Sequence, residues 1–223
     1  MQMIVTDNLG SQFPDQDGSG WGGFLILRNQ RPQGLARNHN AAFRHARGRY
    51  FCILNPDVVF IQKIFRPLIR HLEADESNIV APLVVDSQGA PQDSFRNLPT
   101  PMELVQRRLL ASLPAPDLPA SSGSITPEWI AGVFLMMKSD VFGRLGGMDE
   151  KYRLYFEDVD FCTRARLMGF SLLVDKDLSI RHDASRSSRK DTRYLFWHLQ
   201  SAFRFFTSGV YRQARDRGRA NSM

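Results

Sequence analysis

Short apolar runs recur along the chain, each cut off by a polar or glycine-containing turn, and their spacing alternates between that of strands and that of helices. Residues 3–6 form a β-type run that ends at Asp7-Asn8-Leu9-Gly10-Ser11, a polar turn. An acidic, glycine-rich stretch leads to Gly23, followed by a second apolar run over 24–27 and a loop closing at Gly34. Over 35–46, Leu35, Ala42, Phe43 and Ala46 fall near helical spacing, and Gly48 is the residue type expected just past a helix C-terminus. The run 50–54 is a strand that Asn55-Pro56-Asp57 must end, because proline has no amide to donate and restricts the residue before it.

Beyond this point 64–72 reads as a helix and 79–85 as a strand, and Asp86-Ser87-Gln88-Gly89 supplies turn chemistry before a partner strand near Ser94. Residues 113–127, rich in Pro, Ala and Ser, predict a mobile loop, a lid or a linker. The run 129–137 reads as one strand, Ser139 is placed to cap a short helix that Gly146-Gly147 ends, and 157–168 is a helix closed by Gly169. A strand over 178–181 precedes His182. Strands alternating with helices predict an α/β fold.

Composition adds limits. Hydrophobic residues are 43% of the chain and charged residues 23%, the proportions of a folded domain rather than of a disordered segment. The net charge of +6 would suit nucleic acid, an anionic membrane surface or a phosphorylated substrate. No helix-turn-helix or aromatic-interleaved basic motif accompanies it, so nucleic acid is not an expected partner. Cys52 and Cys162 stand far apart in apolar stretches without a CxxC pair, which predicts buried free thiols. With neither a secretory h-region nor an apolar run near the ~18 residues of a membrane span, a cytoplasmic location is expected.

Candidate chemistry lies in three acidic groups: Asp7, Asp57, and the set Glu157, Asp158 and Asp160. The first two follow apolar strands, and in open α/β sheets ligands sit outside the carboxyl ends of strands. Singly, such acids are more often structural, favoured at strand ends and in the first turn of a helix. Their order along the chain is what changes the reading. Val5-Thr6-Asp7-Asn8-Leu9-Gly10-Ser11, Gly34-Leu35-Ala36-Arg37-Asn38 with Ala46-Arg47-Gly48, and Leu54-Asn55-Pro56-Asp57 come first. Arg96-Asn97-Leu98-Pro99-Thr100-Pro101, Trp129-Ile130-Ala131-Gly132, Gly146-Gly147-Met148-Asp149-Glu150 and Glu157-Asp158-Val159-Asp160-Phe161-Cys162-Thr163-Arg164 follow. From about residue 3 to His182 the series resembles the family 2 glycosyltransferases, particularly their rhamnosyltransferase-like branch.

The resemblance implies a GT-A type fold, a Rossmann-like, mostly parallel mixed sheet flanked by helices. It implies an inverting enzyme of surface-polysaccharide synthesis that moves a sugar, rhamnose or a similar one, from a nucleoside-diphosphate sugar to a glycan or lipid-linked acceptor. The alternative is a non-catalytic relative that binds nucleotide or glycan. In the enzyme, Asp7 would bind the base, Asn8, Arg37 and Asn38 would support the nucleotide pocket with Asn55, and Asp57 would hold Mg2+ or Mn2+ on the diphosphate, with His182 nearby. Asp158 would be the general base and Glu157 would orient the acceptor, while Trp129 and Gly132 would line the sugar or acceptor site. Asp160 and Arg164, four apart, are expected to pair structurally. Two departures stand out: the resemblance also implies a central first strand and helix ahead of residue 3, which this sequence does not contain, and Asn55 replaces one aspartate of the metal motif.

The domain implied spans 1–190, with a basic amphipathic helix and tail over 191–223. There Leu195, Phe196, Leu199, Ala202, Phe203 and Phe206 recur at three- and four-residue spacing, with Arg204, Arg212 and Arg215 among the polar positions. Two readings stay open: a helix packed on the domain, or one lying peripherally on the inner face of an anionic membrane where lipid-linked acceptors reside.

Overall fold

The alternation read from the sequence folds as β1 (Met3–Asp7), β2 (Phe24–Arg28), α1 (Leu35–Phe43), β3 (Tyr50–Leu54), β4 (Val59–Phe60), α2 (Phe65–Glu73), β5 (Ile79–Val85), β6 (Phe95–Arg96) and α3 (Pro101–Leu109). It continues with β7 (Ser124–Ile125), β8 (Trp129–Ile130), β9 (Phe134–Lys138), α4 (Ser139–Arg144), α5 (Glu157–Leu167), β10 (Leu172–Arg181), α6 (Thr192–Thr207) and α7 (Gly209–Ala220). The structure, a computed structural model, describes residues 1–10, 22–74, 79–109, 123–183 and 192–220. Most of the expected loop over 113–127 and of the glycine-rich spacer after Asp7 lies outside the described residues.

The main sheet has the order β3-β9-β5-β10-β4, with β7 also on β10. Strands β3, β5 and β10 run one way, and β9 and β4 run the other. β5 is buried at all seven positions, the continuous apolar run expected of a strand covered on both faces. Its Pro82 cannot donate to a ladder, and the register of β10 slips just past the partner of Pro82, between Asp175 and Ser179. The core between sheet and helices is built from residues such as Ile53, Leu68, Leu135, Phe142 and Phe161, all at most 1% exposed.

β1 and β2 form a separate parallel pair. Among the described residues β1 pairs only with β2 and β3 only with β9, so an edge of each carries no ladder. Gln2 fixes their relation: its side chain donates to the carbonyl of His45 (3.0 Å) and accepts from the amide of Arg47 (3.0 Å). That places the start of β1 beside the segment entering β3, with Asp7 and Leu54 each one strand length further on.

Two expectations need correction. The run 129–137 is not one strand: a turn at 131–133 separates β8 from β9, because Gly132 and its neighbours turn toward α5. Ser139 does not cap α4; its hydroxyl donates to the carbonyl of Gly48 at 2.6 Å. The C-terminal apolar pattern lies in the one helix α6, which packs on the domain as the first of the two readings had it: Ala202 and Phe205, joined by Tyr211 of the following α7, lie against Tyr152, Phe156 and Val159. Phe196, Leu199 and Phe203 point outward, 62%, 55% and 73% exposed. The Asp160–Arg164 pair does form, at 2.7 Å, and the two cysteines are free, Cys162 buried and Cys52 half-buried.

Candidate active site

β3 ends at Leu54, and the turn Asn55-Pro56-Asp57 brings the chain round into β4. Because β4 runs antiparallel to β10, with Val59 opposite Arg181, Asp57 lies just before β4 and His182 just after β10. Their side chains meet at 3.2 Å, Asp57 Oδ2 to His182 Nε2, the carboxylate largely open and the imidazole buried. The amide of His182 donates to Val85 and that of Ser87 to Asp183 Oδ1, so the ends of β5 and β10 are locked together.

The corrected turn at 131–133 joins this end of the sheet to the acidic helix. The amide of Asn55 donates to the carbonyl of Val133 (3.0 Å), and the amide of Gly132 donates to Asp158 Oδ2 (2.9 Å). A second backbone donor, the amide of Val159, reaches Asp158 Oδ1 at 2.8 Å. Burial pushes the Asp158 carboxyl up from the ordinary aspartate range, opposed by these two amides. Glu157, 6% exposed, has no such donors for its Oε2, which finds no hydrogen-bond partner in the structure. Burial, and then the charge of Asp158, push its carboxyl up to about 8. Asp160 is held by Arg164, whose guanidinium also donates to the carbonyls of Leu145 (2.6 Å) and Gly147 (2.9 Å), so this pair braces the Gly146-Gly147 turn.

Glu157 follows two residues in the left-handed region, Tyr155 (φ 66°) and Phe156 (φ 65°), an unusual conformation for two adjacent bulky side chains. Such strain persists where surrounding structure enforces it. Here α6 does so: the Phe156 ring contacts Phe205, Phe206 and His198 at centroid distances of 5.6, 5.8 and 5.5 Å, and Tyr155 also stacks edge-on against His198. From the other side Gly34, ahead of α1, packs on Arg153, and the amide of Leu35 donates to the Arg153 carbonyl at 3.0 Å.

The tip of β1–β2–α1 is tied internally. Asn8 Oδ1 accepts from the amide of Gln33 (2.7 Å) and from Asn29 (3.0 Å), and the same Asn29 amide donates to Asn38 Oδ1 (2.9 Å). Asp7 and Asn38 are buried at this tip, whereas Arg37 is exposed on α1. Thus the structure joins Asp57 to His182, Gly132 to Asp158, and Asn8 to Asn38. Trp129 packs against the Tyr152–Phe156–Val159 cluster, and its indole Nε1 is buried with no hydrogen-bond partner. Sequence reasoning named Gly34 but missed its contact with Arg153 and the Phe205 clamp, for which the sequence carried no signal.

One carboxylate and one imidazole meet at Asp57 and His182, and among the described residues no three metal-ligating side chains cluster. Mg2+ characteristically takes one or two protein ligands and completes its shell with water and substrate phosphate. The open Asp57 carboxylate fits such an ion.

Solved structures share this architecture. GalNAc-T7 with UDP, GalNAc and Mn2+ is 15% identical and aligns over 81% of this chain and 37% of its own, with a TM-score of 0.57. The mannosyltransferase PcManGT from Pyrobaculum calidifontis, in complex with GDP-Man and Mn2+, is 16% identical over 95% and 59%, with a TM-score of 0.54. The architecture they share with this chain is the GT-A fold. The family model for glycosyl transferase family 2 matches residues 10–127, and the chain belongs to that family. Among curated relatives, the rhamnosyltransferase WbbL of Escherichia coli K12 is 27% identical over 184 residues, 77% of this chain and 69% of the relative. The N-acetylglucosaminyl-diphospho-decaprenol L-rhamnosyltransferase of Mycobacterium tuberculosis is 33% identical over 78 residues, 34% of this chain and 25% of the relative. The chain thus spans less than two thirds of the mycobacterial relative and of the two solved chains.

Proposed function

We propose that the chain transfers rhamnose or a similar sugar from a nucleoside diphosphate to a hydroxyl of a glycan or lipid-linked acceptor, with inversion. The observation that carries this reading is the Asp158 carboxylate, aimed by the amides of Gly132 and Val159 at the N-terminus of α5, where the helix dipole favours its charge. Each oxygen spends only one acceptor position on these amides, which leaves capacity for an acceptor hydroxyl. Asp158 takes the proton from that hydroxyl as its oxygen attacks the anomeric carbon from the face opposite the diphosphate. Asp57 and His182 would hold a divalent ion, which would supply positive charge to the departing diphosphate. Asp7, Arg37 and the Asn8–Asn29–Asn38 network shape the nucleotide end, and Asn55 fixes the turn that presents Asp57.

The test is a paired measurement. Asp158→Asn should abolish transfer while thymidine or uridine diphosphate still binds in calorimetry; near-normal turnover would refute Asp158 as base. Asp57→Asn should remove the Mn2+ dependence of nucleotide binding.

For the acceptor, we place the protein peripherally on an anionic membrane. Supporting this are the outward Phe196, Leu199 and Phe203 on α6, the exposed Arg204, Arg212 and Arg215, and the lipid-linked acceptor in the mycobacterial relative's name. No helix among the described residues is long and apolar enough to cross a membrane. Replacing all three apolar residues by serine should abolish flotation with phosphatidylglycerol vesicles. Truncation at Ser188 is the poorer test, because it also strips Phe205 from the core.

A further inference from the structure

The far end of α5 borders a cavity that the mechanism above does not use. The last turn of α5, the start of β10, the turn at 126–128 and α7 enclose about 590 Å3, within the ~300–1,000 Å3 range of small-ligand sites. Asp158 and Arg166 lie eight residues apart on α5 (158 to 166), so the cavity is about 12 Å along the helix axis from the proposed base. Its lining is apolar at Leu167, Phe170 and Leu172 and charged at Glu128, Arg166 and Arg217.

Those charges are balanced within the protein. Arg166 Nη2 pairs with Glu128 Oε1 at 2.8 Å, and Glu128 Oε2 accepts from the amide of Leu98 at 2.6 Å. Arg217 Nη1 donates to the carbonyls of Arg166 (3.2 Å) and Leu167 (3.0 Å), at the negative end of the α5 dipole. A phosphate therefore gains little here from net charge. What the lining does offer is donors and acceptors side by side, since a guanidinium has five N–H donors and each carboxylate oxygen accepts more than once. Paired donors and acceptors beside an apolar surface suit a ligand that is uncharged, hydroxylated and partly apolar. A 6-deoxy sugar such as rhamnose has that make-up: ring hydroxyls, and a methyl group where other hexoses carry a hydroxymethyl.

Resting on the transfer reading, we propose that this cavity is a second carbohydrate site, holding a rhamnose-bearing stretch of the neutral glycan away from the reacting hydroxyl. Arg166 and Glu128 bind its hydroxyls, and the sugar methyl packs over Leu167, Phe170 and Leu172. The site retains glycan and takes no part in the chemistry.

The full chain, titrated with the methyl glycoside of a rhamnose disaccharide and followed by NMR, tests this. The backbone-assigned amides of Gly169 and Gly218, both in the lining, should shift, and inorganic pyrophosphate should leave them unmoved. A Cβ at Gly218 meets no atom within 4 Å, so Gly218→Leu has room to fold and fills the cavity instead; it should abolish the Gly169 shift. Arg166→Gln should weaken binding about tenfold, the weight of one charge-assisted hydrogen bond. Both variants should keep wild-type transfer to a monosaccharide acceptor, while KM for a rhamnose-bearing oligosaccharide rises about tenfold. Amides that ignore the disaccharide, that move with pyrophosphate, or that move equally in Gly218→Leu overturn the site. Thymidine or uridine diphosphate with Mn2+, titrated into the same samples, separates the two failures. Nucleotide bound while the cavity amides stay unmoved by disaccharide sinks the cavity alone; disaccharide bound in a protein that takes no nucleotide sinks the transfer reading.

Discussion

Replacing Gly34 should destabilise the protein for a reason that helix propensity alone would get backwards. Gly34 has φ −70° and ψ 157° at the N-cap of α1, a conformation open to any L-residue, so a side chain is excluded by space and not by backbone strain. A Cβ built there would lie 2.6 Å from the carbonyl oxygen of Arg153 and 2.8 Å from its Cα, both backbone atoms that cannot swing aside. The two segments must separate, which costs about 1–3 kcal/mol for overpacking and weakens the Leu35–Arg153 hydrogen bond, worth about 1 kcal/mol. The sum is about 3 kcal/mol, and for a chain of this size each kcal/mol moves Tm by about 2–4 °C, so Gly34→Ala should lower it by about 9 °C. Thermal unfolding followed by circular dichroism measures this. Gly34→Ser sharpens it, since serine is a favoured N-cap and would ordinarily stabilise. A Gly34→Ser protein as stable as the wild type would refute the steric argument.

Two further outcomes follow from the same site. Phe205→Ala, at a fully buried ring, should cost about 3–5 kcal/mol in urea unfolding and, by freeing Phe156, should lower turnover more than nucleotide affinity. Glu157 has its proton affinity raised from 4.5 to about 8 by burial, so the folded state binds more protons than the unfolded state within that window. Stability must then fall as pH rises from about 5 to 8, by a few kcal/mol at most. Glu157→Gln should flatten that slope in denaturant titrations, and an unchanged slope would show that Glu157 ionises normally.

What the sequence made legible was whatever a local rule controls. Proline ended β3 and thereby located Asp57, and Gly169, at φ 88°, closed the helix that opens with Glu157. The run 129–137 hid its turn because Ala131, Gly132 and Val133 continue an apolar pattern, and tertiary hydrogen bonds hold the turn: the amide of Ala131 donates to the carbonyl of Ser94, that of Gly132 to Asp158, and that of Asn55 to the carbonyl of Val133. In the C-terminal helices both faces carry large apolar side chains, so periodicity alone could not say which one packs; Phe205 is fully buried and Phe203, two residues away, is exposed. The left-handed pair Tyr155–Phe156 had no signal at all, since neither residue type favours that conformation.

That pair explains why three acids within four residues can do three different things. α5 is buried around nearly its whole first two turns, so each acid's state is decided by the partner its position finds. Asp160, one turn in, meets the Arg164 guanidinium and becomes a brace for the Gly146-Gly147 turn. Asp158 meets the amide of Gly132, available only because the 131–133 turn breaks β8 from β9, and with Val159 it gains two donors that favour its charge. Glu157 emerges directly from the strained Phe156 into a buried position with no donor for its outer oxygen, so keeping a proton costs it less than keeping a charge. The ring contacts from α6 hold Phe156 in place, so the C-terminal helices as well as the sheet position the acids proposed for transfer.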